Sequence, residues 1–228
     1  MDSSTNFNYS VSVDCVIFGY DTSDLKVLLI KRGEEPFINQ WAIPGDLIHE
    51  TEGIQESVQR VLQDLTGLSS LYLEQVKTFG DLGRHPLGRV FTISYYSLIK
   101  ISDYKLNPSS FAKEAKWHSV KRIGELAFDH NKIFAACKEA LVNSVKTKPV
   151  GFELLPKKFT LSKLQSLYEA ILQEKFDKRN FRKKINSMDL LIDTDEFQKS
   201  VSHRPAKLYK FDKEKYEKMK DQGGSFEL

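Results

Sequence analysis

Residues 44–68, PGDLIHETEGIQESVQRVLQDLTGL, join a strand-stopping turn to an amphipathic helix. Apolar side chains at 54, 58, 61, 62 and 65 recur at helix spacing, which predicts a helix over residues 53–65. Gly67, just beyond it, suits a left-handed C-cap. Positions 61, 64 and 65 share one helix face. They carry Val, Asp and Leu, so that face offers a single carboxylate.

Outward from this stretch, SVSVDCVIFGY (10–20) alternates and is rich in Val and Ile, which predicts a strand, and LKVLLIKR (25–32) predicts a second after the turn-like DTSD. WAIPG (41–45) predicts a short strand ended by Pro-Gly. LYLEQVKTFG (71–80) and RVFTISYYSLI (89–99) predict two more strands, joined by DLGRHPLG, and EAKWHSV (114–120) another. Residues 129–147 predict an amphipathic helix with Asp129 at its N-cap. Mixed strands and helices predict a layered α/β domain over residues 1–148. A second domain follows over 149–228, reached through a connector at 146–155 that contains Pro149 and Gly151.

With 228 residues, 40% hydrophobic content and 15 Phe, the chain is long enough for one large or two small cores. No run of about 18 apolar residues predicts a membrane span. The first 20 residues lack the basic and apolar parts of a signal peptide, so a cytoplasmic location is expected. Cys15 and Cys137 are far apart and are expected to be core thiols rather than a disulfide or metal site. The net charge is +3. From 151 onward there are 17 Lys and Arg against 13 Asp and Glu, whereas the first 150 residues hold 17 against 18. A local basic excess suits a polyanion-binding surface.

The 41–68 segment resembles the Nudix hydrolase family, whose signature is G-x5-E-x7-R-E-u-x-E-E-x-G-u, with u a bulky aliphatic, after a strand ending W-x-L-P-G-G. Trp41, Pro44, Gly45, Glu52, Arg60, Leu62, Gly67 and Leu68 match. Asp46, Val61, Asp64 and Leu65 depart from it. The resemblance implies a Nudix-like α/β/α sandwich. The family's Mg²⁺ activates water and neutralises phosphate charge, and Mg²⁺ needs several hard oxygen ligands. One short carboxylate on the ligand face predicts no catalytic residues, no metal and no cofactor. Such a pocket can still bind an effector. Asp46 could accept hydrogen bonds from sugar hydroxyls, Phe37 and Trp41 offer apolar faces, and Arg84 and His85 sit on a loop near the expected cleft. Each also has a structural reading: Trp41 as core, His85 as a turn residue, Arg84 as a partner of Asp81, and Asp46 as a turn cap. A carboxylate at 46 would repel a pyrophosphate, which favours a neutral sugar.

In the C-terminal third, residues 160–174 predict a helix capped by Thr160, and 177–188 a second, shorter one. DLLID (189–193) and AKLYKFD (206–212) predict a two-stranded ribbon. Helix, turn, helix and ribbon is the order of a winged helix-turn-helix, whose second helix enters the major groove. That helix lies in KFDKRNFRKK (175–184), with six basic residues and one acidic. Phe181 and Ile185 are expected to face the core. Lys178, Arg179, Asn180, Arg182 and Lys183 then face outward, as suits base and phosphate contacts. The competing reading is a solvated charged face. Lys157 and Lys158 precede the first helix, and SHRPAK (202–207), with Arg204 and Lys207, is the candidate wing.

A Nudix-like domain followed by this region resembles the Nudix-related transcriptional regulators, which include ADP-ribose-responsive NrtR regulators of NAD metabolism and sugar-responsive AraR regulators. The likeness spans roughly residues 10–210, and its detail is closest to the arabinose-responsive AraR type. It implies a homodimer on a palindromic double-stranded operator, released when L-arabinose binds the Nudix-like domain to relieve repression of sugar catabolism. The alternatives are a regulator answering ADP-ribose or another nucleotide sugar, and an active Nudix hydrolase with a basic accessory domain.

Overall fold

The computed structural model describes residues 9–199 and 204–228. Contacts divide the chain into two compact units, Met1–Asp21 with Lys26–Ala140 and Thr22–Leu25 with Leu141–Leu228.

The first unit is a mixed sheet. Strand β1 (Ser10–Tyr20) pairs in parallel with β6 (Val90–Lys100) and antiparallel with β4 (Gly45–Leu47). Strand β2 (Leu25–Arg32) pairs with β3 (Trp41–Ala42) and β7 (Ala112–Ser119), and β5 (Glu74–Phe79) pairs with β6. Because side chains alternate along a strand, Val13, Cys15 and Ile17 share one face of β1. There they join a core with Val58, Val61, Leu62 and Leu65 of helix α1 (Ile54–Thr66). On the other face, Phe18 meets Phe134 of helix α2 (His130–Thr147) with ring centroids 5.9 Å apart. Helices on both faces give the expected α/β/α layering. The single short strand expected over 41–45 is divided into β3 and β4, and Asp46 and Leu47 carry no periodic signal that would have extended it.

Register places the polar positions of β1. Ser12 lies opposite Thr92, and their hydroxyls are 2.6 Å apart. Asp14 lies opposite Gly45. A Cβ at position 45 would sit 1.8 Å from Asp14 Oδ1, so the Pro-Gly turn needs glycine because that carboxyl occupies the space. Gly67 ends α1 at φ 78°, its N–H donating to the Gln63 carbonyl at 2.9 Å. Asp129 stands at the expected N-cap position of α2, where its carbonyl accepts the Ile133 N–H at 3.3 Å, while its carboxylate holds the Arg84 guanidinium.

The second unit contains α3 (Leu161–Leu172), α4 (Lys178–Ser187), the antiparallel ribbon β8 (Leu191–Phe197) and β9 (Lys207–Phe211), and α5 (Lys213–Asp221). Thr160 and Asp177 cap α3 and α4 through their side-chain oxygens. Glu169 of α3 accepts from Lys175 Nζ, Gln165 Nε2 and the Phe176 N–H, which fixes the turn into α4. The Lys175 ammonium first, and then these other donors, hold its carboxyl down at about 2. Phe181 and Ile185 are buried as expected. The connector at 146–155 is not a bare linker. Pro149 leads into a 3-10 turn over Val150–Leu154, whose Phe152 and Leu154 are buried. Phe152 stacks on Phe211 at 4.4 Å and lies within 6.4 Å of the Phe159, Tyr168 and Phe226 rings. Helix α5 was missed because KEKYEKMKD shows no apolar face; beyond it the chain returns to bury Phe226.

Truncating Phe152 removes the ring that four other aromatics share. Phe152→Ala is expected to destabilise the second unit by roughly 3–5 kcal/mol. Phe197→Ser, at an exposed position, should change stability by less than about 0.5 kcal/mol. Urea unfolding followed by far-ultraviolet circular dichroism compares the two.

Candidate functional site

Arg60, on α1, organises the loop that leads into that helix. Its Nε and Nη2 grip the Glu52 carboxylate at 2.7–3.2 Å. Its Nη1 donates to Asp46 Oδ2 at 2.9 Å, and Nη2 also donates to the Leu47 carbonyl at 2.8 Å. Glu52 in turn accepts the His49 N–H at 2.8 Å. Hydrogen bonds from Arg60, and then from that amide, hold the Glu52 carboxyl down at about 2. Asp46 Oδ1 takes its neighbour's amide, Leu47 N–H, at 2.8 Å. Asp46 therefore both caps a turn and forms an ion pair.

Beside this loop lies a cleft of about 360 Å³ whose lining includes Asp14, Arg32, Asp46, Arg84, His85 and Phe128. Arg84 donates Nε and Nη2 to Asp129 at 3.0 and 2.6 Å and Nη1 to Thr92 at 2.5 Å. The expected pairing of Arg84 with Asp81 does not form, and Asp81 lies 3.7 Å from Lys132 instead. His85 stacks on Phe128 at 5.0 Å with the planes 14° apart. Burial first, then Arg84 and Arg32, keep its imidazole below the usual histidine range and so favour the neutral ring. Phe37 touches Phe128 edge-on at 4.7 Å but is not itself among the lining residues. Trp41 is not among them either; its ring meets His118 at 4.4 Å and its carbonyl accepts from Ala127 N–H.

Arg32, at the end of β2, was not singled out from sequence. Its guanidinium carbon lies 5.2 Å from the Phe111 ring centre and 5.0 Å from that of Phe128. Its Nε donates to the Pro36 carbonyl at 2.7 Å. The terminal nitrogens have no hydrogen-bond partner among the described residues. A guanidinium fixed by rings and still holding unused donors is well prepared for an anion. A terminal Arg next to Lys31, in a strand that also carries Lys26, reads as an ordinary snorkelling residue, and the two Phe come from distant segments.

Asp14 is buried on the cleft floor. His130 Nδ1 accepts the Ile43 N–H at 2.9 Å, so the neutral ring carries its proton on Nε2, 3.5 Å from Asp14 Oδ2. Burial raises the Asp14 carboxyl to about 7 against the opposing pull of Arg84. Burial likewise lowers His130 to about 3.

The Mg²⁺ that the Nudix likeness implies does not fit these residues. Val61 and Leu65 are 0% and 2% exposed and packed in the core, and Glu52 is held by Arg60. Among the described residues, no group of three or more His, Cys, Asp or Glu is placed to hold a metal ion.

On the second unit, Lys178, Arg179, Asn180 and Lys183 are exposed along α4. Arg182 is only half-exposed, since it turns toward α3, with Nη2 3.4 Å from Ser162 Oγ. Lys158 is held by Glu196 at 2.5–2.6 Å, and Lys207 is paired with Asp193 and lies 3.5 Å from Asp195. These two cations are thus less free than expected. Arg204 is exposed, whereas Ser202 and His203 of the wing candidate lie outside the described residues.

The Asp14 carboxyl sets a pH dependence whose sign is fixed. Its folded value lies above the unfolded one, so the fold prefers the protonated acid. Its contribution is lost as pH rises from about 4 through about 7. Asp14→Asn is therefore expected to stabilise the protein by on the order of a few kcal/mol at pH 8 and by little at pH 4. Urea titrations of both proteins at the two pH values check this.

Residues 8–137 match the NUDIX domain family and residues 151–211 the NrtR DNA-binding winged helix domain. The chain is 31% identical over 211 residues to the ADPR responsive transcriptional repressor NtrR of Acinetobacter baylyi, covering 91% of this chain and 84% of that protein. It resembles the structure of Shewanella oneidensis NrtR complexed with a 27mer DNA, with a TM-score of 0.69, 31% identity, and 88% and 93% of the two chains covered. The NUDIX domain of the same protein complexed with ADP ribose matches at a TM-score of 0.56 and 31% identity, over 62% of this chain and 94% of that one. A Nudix domain with degenerate metal positions, followed by an NrtR-type winged helix, places the whole chain: it belongs to the Nudix-related NrtR-type transcriptional regulators.

Proposed function

We propose that this chain is a repressor whose Nudix domain binds ADP-ribose, or a close nucleotide relative, and thereby weakens its hold on operator DNA. The observation that carries this reading is Arg32, a ring-clamped guanidinium with unused donors in the cleft, beside His85 and Phe128. A pyrophosphate suits the cation and a flat base or ribose suits the rings. The Acinetobacter baylyi repressor and the Shewanella oneidensis NUDIX-domain complex are named for ADP-ribose, and this reading replaces L-arabinose. The case for a neutral sugar rested on repulsion by Asp46, and Arg60 pairs with that carboxylate at 2.9 Å.

The proposed effector contacts are Arg32, Arg84, His85 and Phe128, with Asp46 at the rim. Phe37 acts through Phe128, and Trp41 is left to packing. Lys178, Arg179, Asn180 and Lys183 are proposed to meet DNA, with Arg182 and Arg204 beside them. Lys158 and Lys207 contribute less. The protein is proposed to work as a cytoplasmic homodimer on a palindromic site, with the domains divided at 148/149 and without hydrolase activity. An ADP-ribose pyrophosphatase from Methanocaldococcus jannaschii is 32% identical over 124 residues, covering 54% of this chain and 70% of that protein. Val61 and Leu65, in place of metal-binding Glu, oppose carrying that activity over.

Calorimetry with ADP-ribose and with L-arabinose tests the effector. Saturable heat from ADP-ribose alone is expected, with at least about tenfold weaker binding in Arg32→Ala, since a lost charge-assisted contact costs about 1.5–3 kcal/mol. Binding of arabinose alone would return the sugar reading. With Mg²⁺ or Mn²⁺ present, turnover of ADP-ribose should stay well below the ordinary enzyme scale of about 1 s⁻¹. For DNA, Arg179→Ala is expected to cost on the order of 1–3 kcal/mol on the preferred site. Lys183→Ala should weaken all sequences alike and lower the salt slope by about one. Gel-shift titrations across salt concentrations separate these effects.

A further inference from the structure

The cleft floor holds a carboxyl that neither the fold nor the clasp on the loop employs. Asp14 is buried, lines the cleft and has one neighbour at marginal distance, the neutral His130 Nε2 at 3.5 Å. Gly45 closes over its Oδ1, so the side chain has little room to move away. The charges around it come from several elements: Arg32 from β2, Asp46 from β4, Arg84 from the loop after β5, and Asp129 at the start of α2. His130 beside it is held neutral, and His85 across the cleft leans the same way. Arg84 is already matched by Asp129 and Asp46 by Arg60, so Arg32 is the cation in this group without an ion-pair partner among the described residues.

We propose that Asp14 enters the effector complex as the neutral acid and donates a hydrogen bond to a phosphate oxygen, so that an anionic effector binds with the uptake of one proton. This rests on the nucleotide reading above. The physical case is one of charge. A diphosphate drawn in by Arg32 cannot sit beside an ionised, buried carboxylate without a large repulsion. The same group with its proton becomes a donor, as buried acids do beside developing or resident negative charge. The His130 ring remains beside the carboxyl, its Nε2 3.5 Å from Oδ2. The proton comes from the buffer, and no bond in the effector changes. Because the free acid titrates at about 7, bound anion raises that value further. Affinity then falls with increasing pH, by up to about tenfold per pH unit between the free and bound values.

Calorimetry of ADP-ribose binding at about pH 7 and about pH 8.5, in two buffers of different ionisation enthalpy, counts the protons exchanged. The ligand's pyrophosphate is fully ionised throughout that range, so any linked proton belongs to the protein. For the wild type, uptake approaching one proton at the higher pH and an affinity loss of about tenfold are expected. Asp14→Asn, whose amide is a permanent donor of similar shape, should lose both the proton uptake and the pH dependence and bind more tightly than wild type at pH 8.5. Binding with no proton uptake, or uptake that persists in Asp14→Asn, overturns the assignment of Asp14 while leaving the nucleotide reading standing. Weaker binding by Asp14→Asn at both pH values also overturns it, since that would mark an ionised acceptor. No binding heat for the wild type at either pH removes the nucleotide reading and this inference together.

Discussion

The Arg60 guanidinium ties together three points of the loop that approaches α1: the Glu52 carboxylate, the Asp46 carboxylate and the Leu47 carbonyl. The rest of the cleft depends on this clasp. It fixes β4 beside β1, and through β4 it brings the Gly45 backbone against Asp14. A charged side chain that spends its hydrogen bonds on its own loop is structural. It explains how the Glu and Arg of a phosphohydrolase signature persist where the metal positions have been lost. Glu52 and Arg60 build the loop, and Val61 and Leu65 pack in the core where the signature has carboxylates.

The opposite side of α1 completes this division. Val61 and Leu65 lie in the core with Val13, Cys15 and Ile17. Glutamates there would have to leave that core or bury charge at a cost of several kcal/mol each. The substitutions therefore exchange a metal site for hydrophobic packing. The cleft that remains presents arginine, histidine and phenylalanine, side chains suited to holding an anion and a flat ring. Tight binding of a ligand with no bond-breaking step is what a sensor requires, because a molecule that is consumed cannot hold an equilibrium in its shifted position.

Much of this was legible in the sequence where one segment carried the whole signal. Strand β1 emerged from Val- and Ile-rich alternation, β2 from its position after the turn-like DTSD, and α1 from its apolar spacing and Gly67. Helices α3 and α4 followed from Thr160 and the Phe181–Ile185 pair, whereas the Asp177 cap became evident only in the structure. Features that depend on partners from distant segments were not legible. Arg32 gains its meaning from Phe111 and Phe128, 79 and 96 positions away in the chain. Asp46 looked repulsive to phosphate because its neutralising partner, Arg60, lies a full loop and two helical turns later. Lys158 and Lys207 looked like phosphate contacts because the acidic β8 residues that pair with them fold back from elsewhere. A lone charge in a sequence carries no sign of its counter-charge, and this is where chain-local reading fails.

If the cleft is a sensor and the winged helix a reader, the two must be thermodynamically coupled, and coupling is reciprocal. The most direct measurement uses a fluorescent duplex selected by the protein from a random pool. Its affinity is titrated by anisotropy with and without saturating ADP-ribose, and ADP-ribose affinity is measured for the free and the DNA-bound protein. ADP-ribose should weaken DNA binding at least about fivefold, and DNA should weaken ADP-ribose binding by the same factor. Superimposable DNA titrations with and without a nucleotide that demonstrably occupies the cleft would contradict the sensor role.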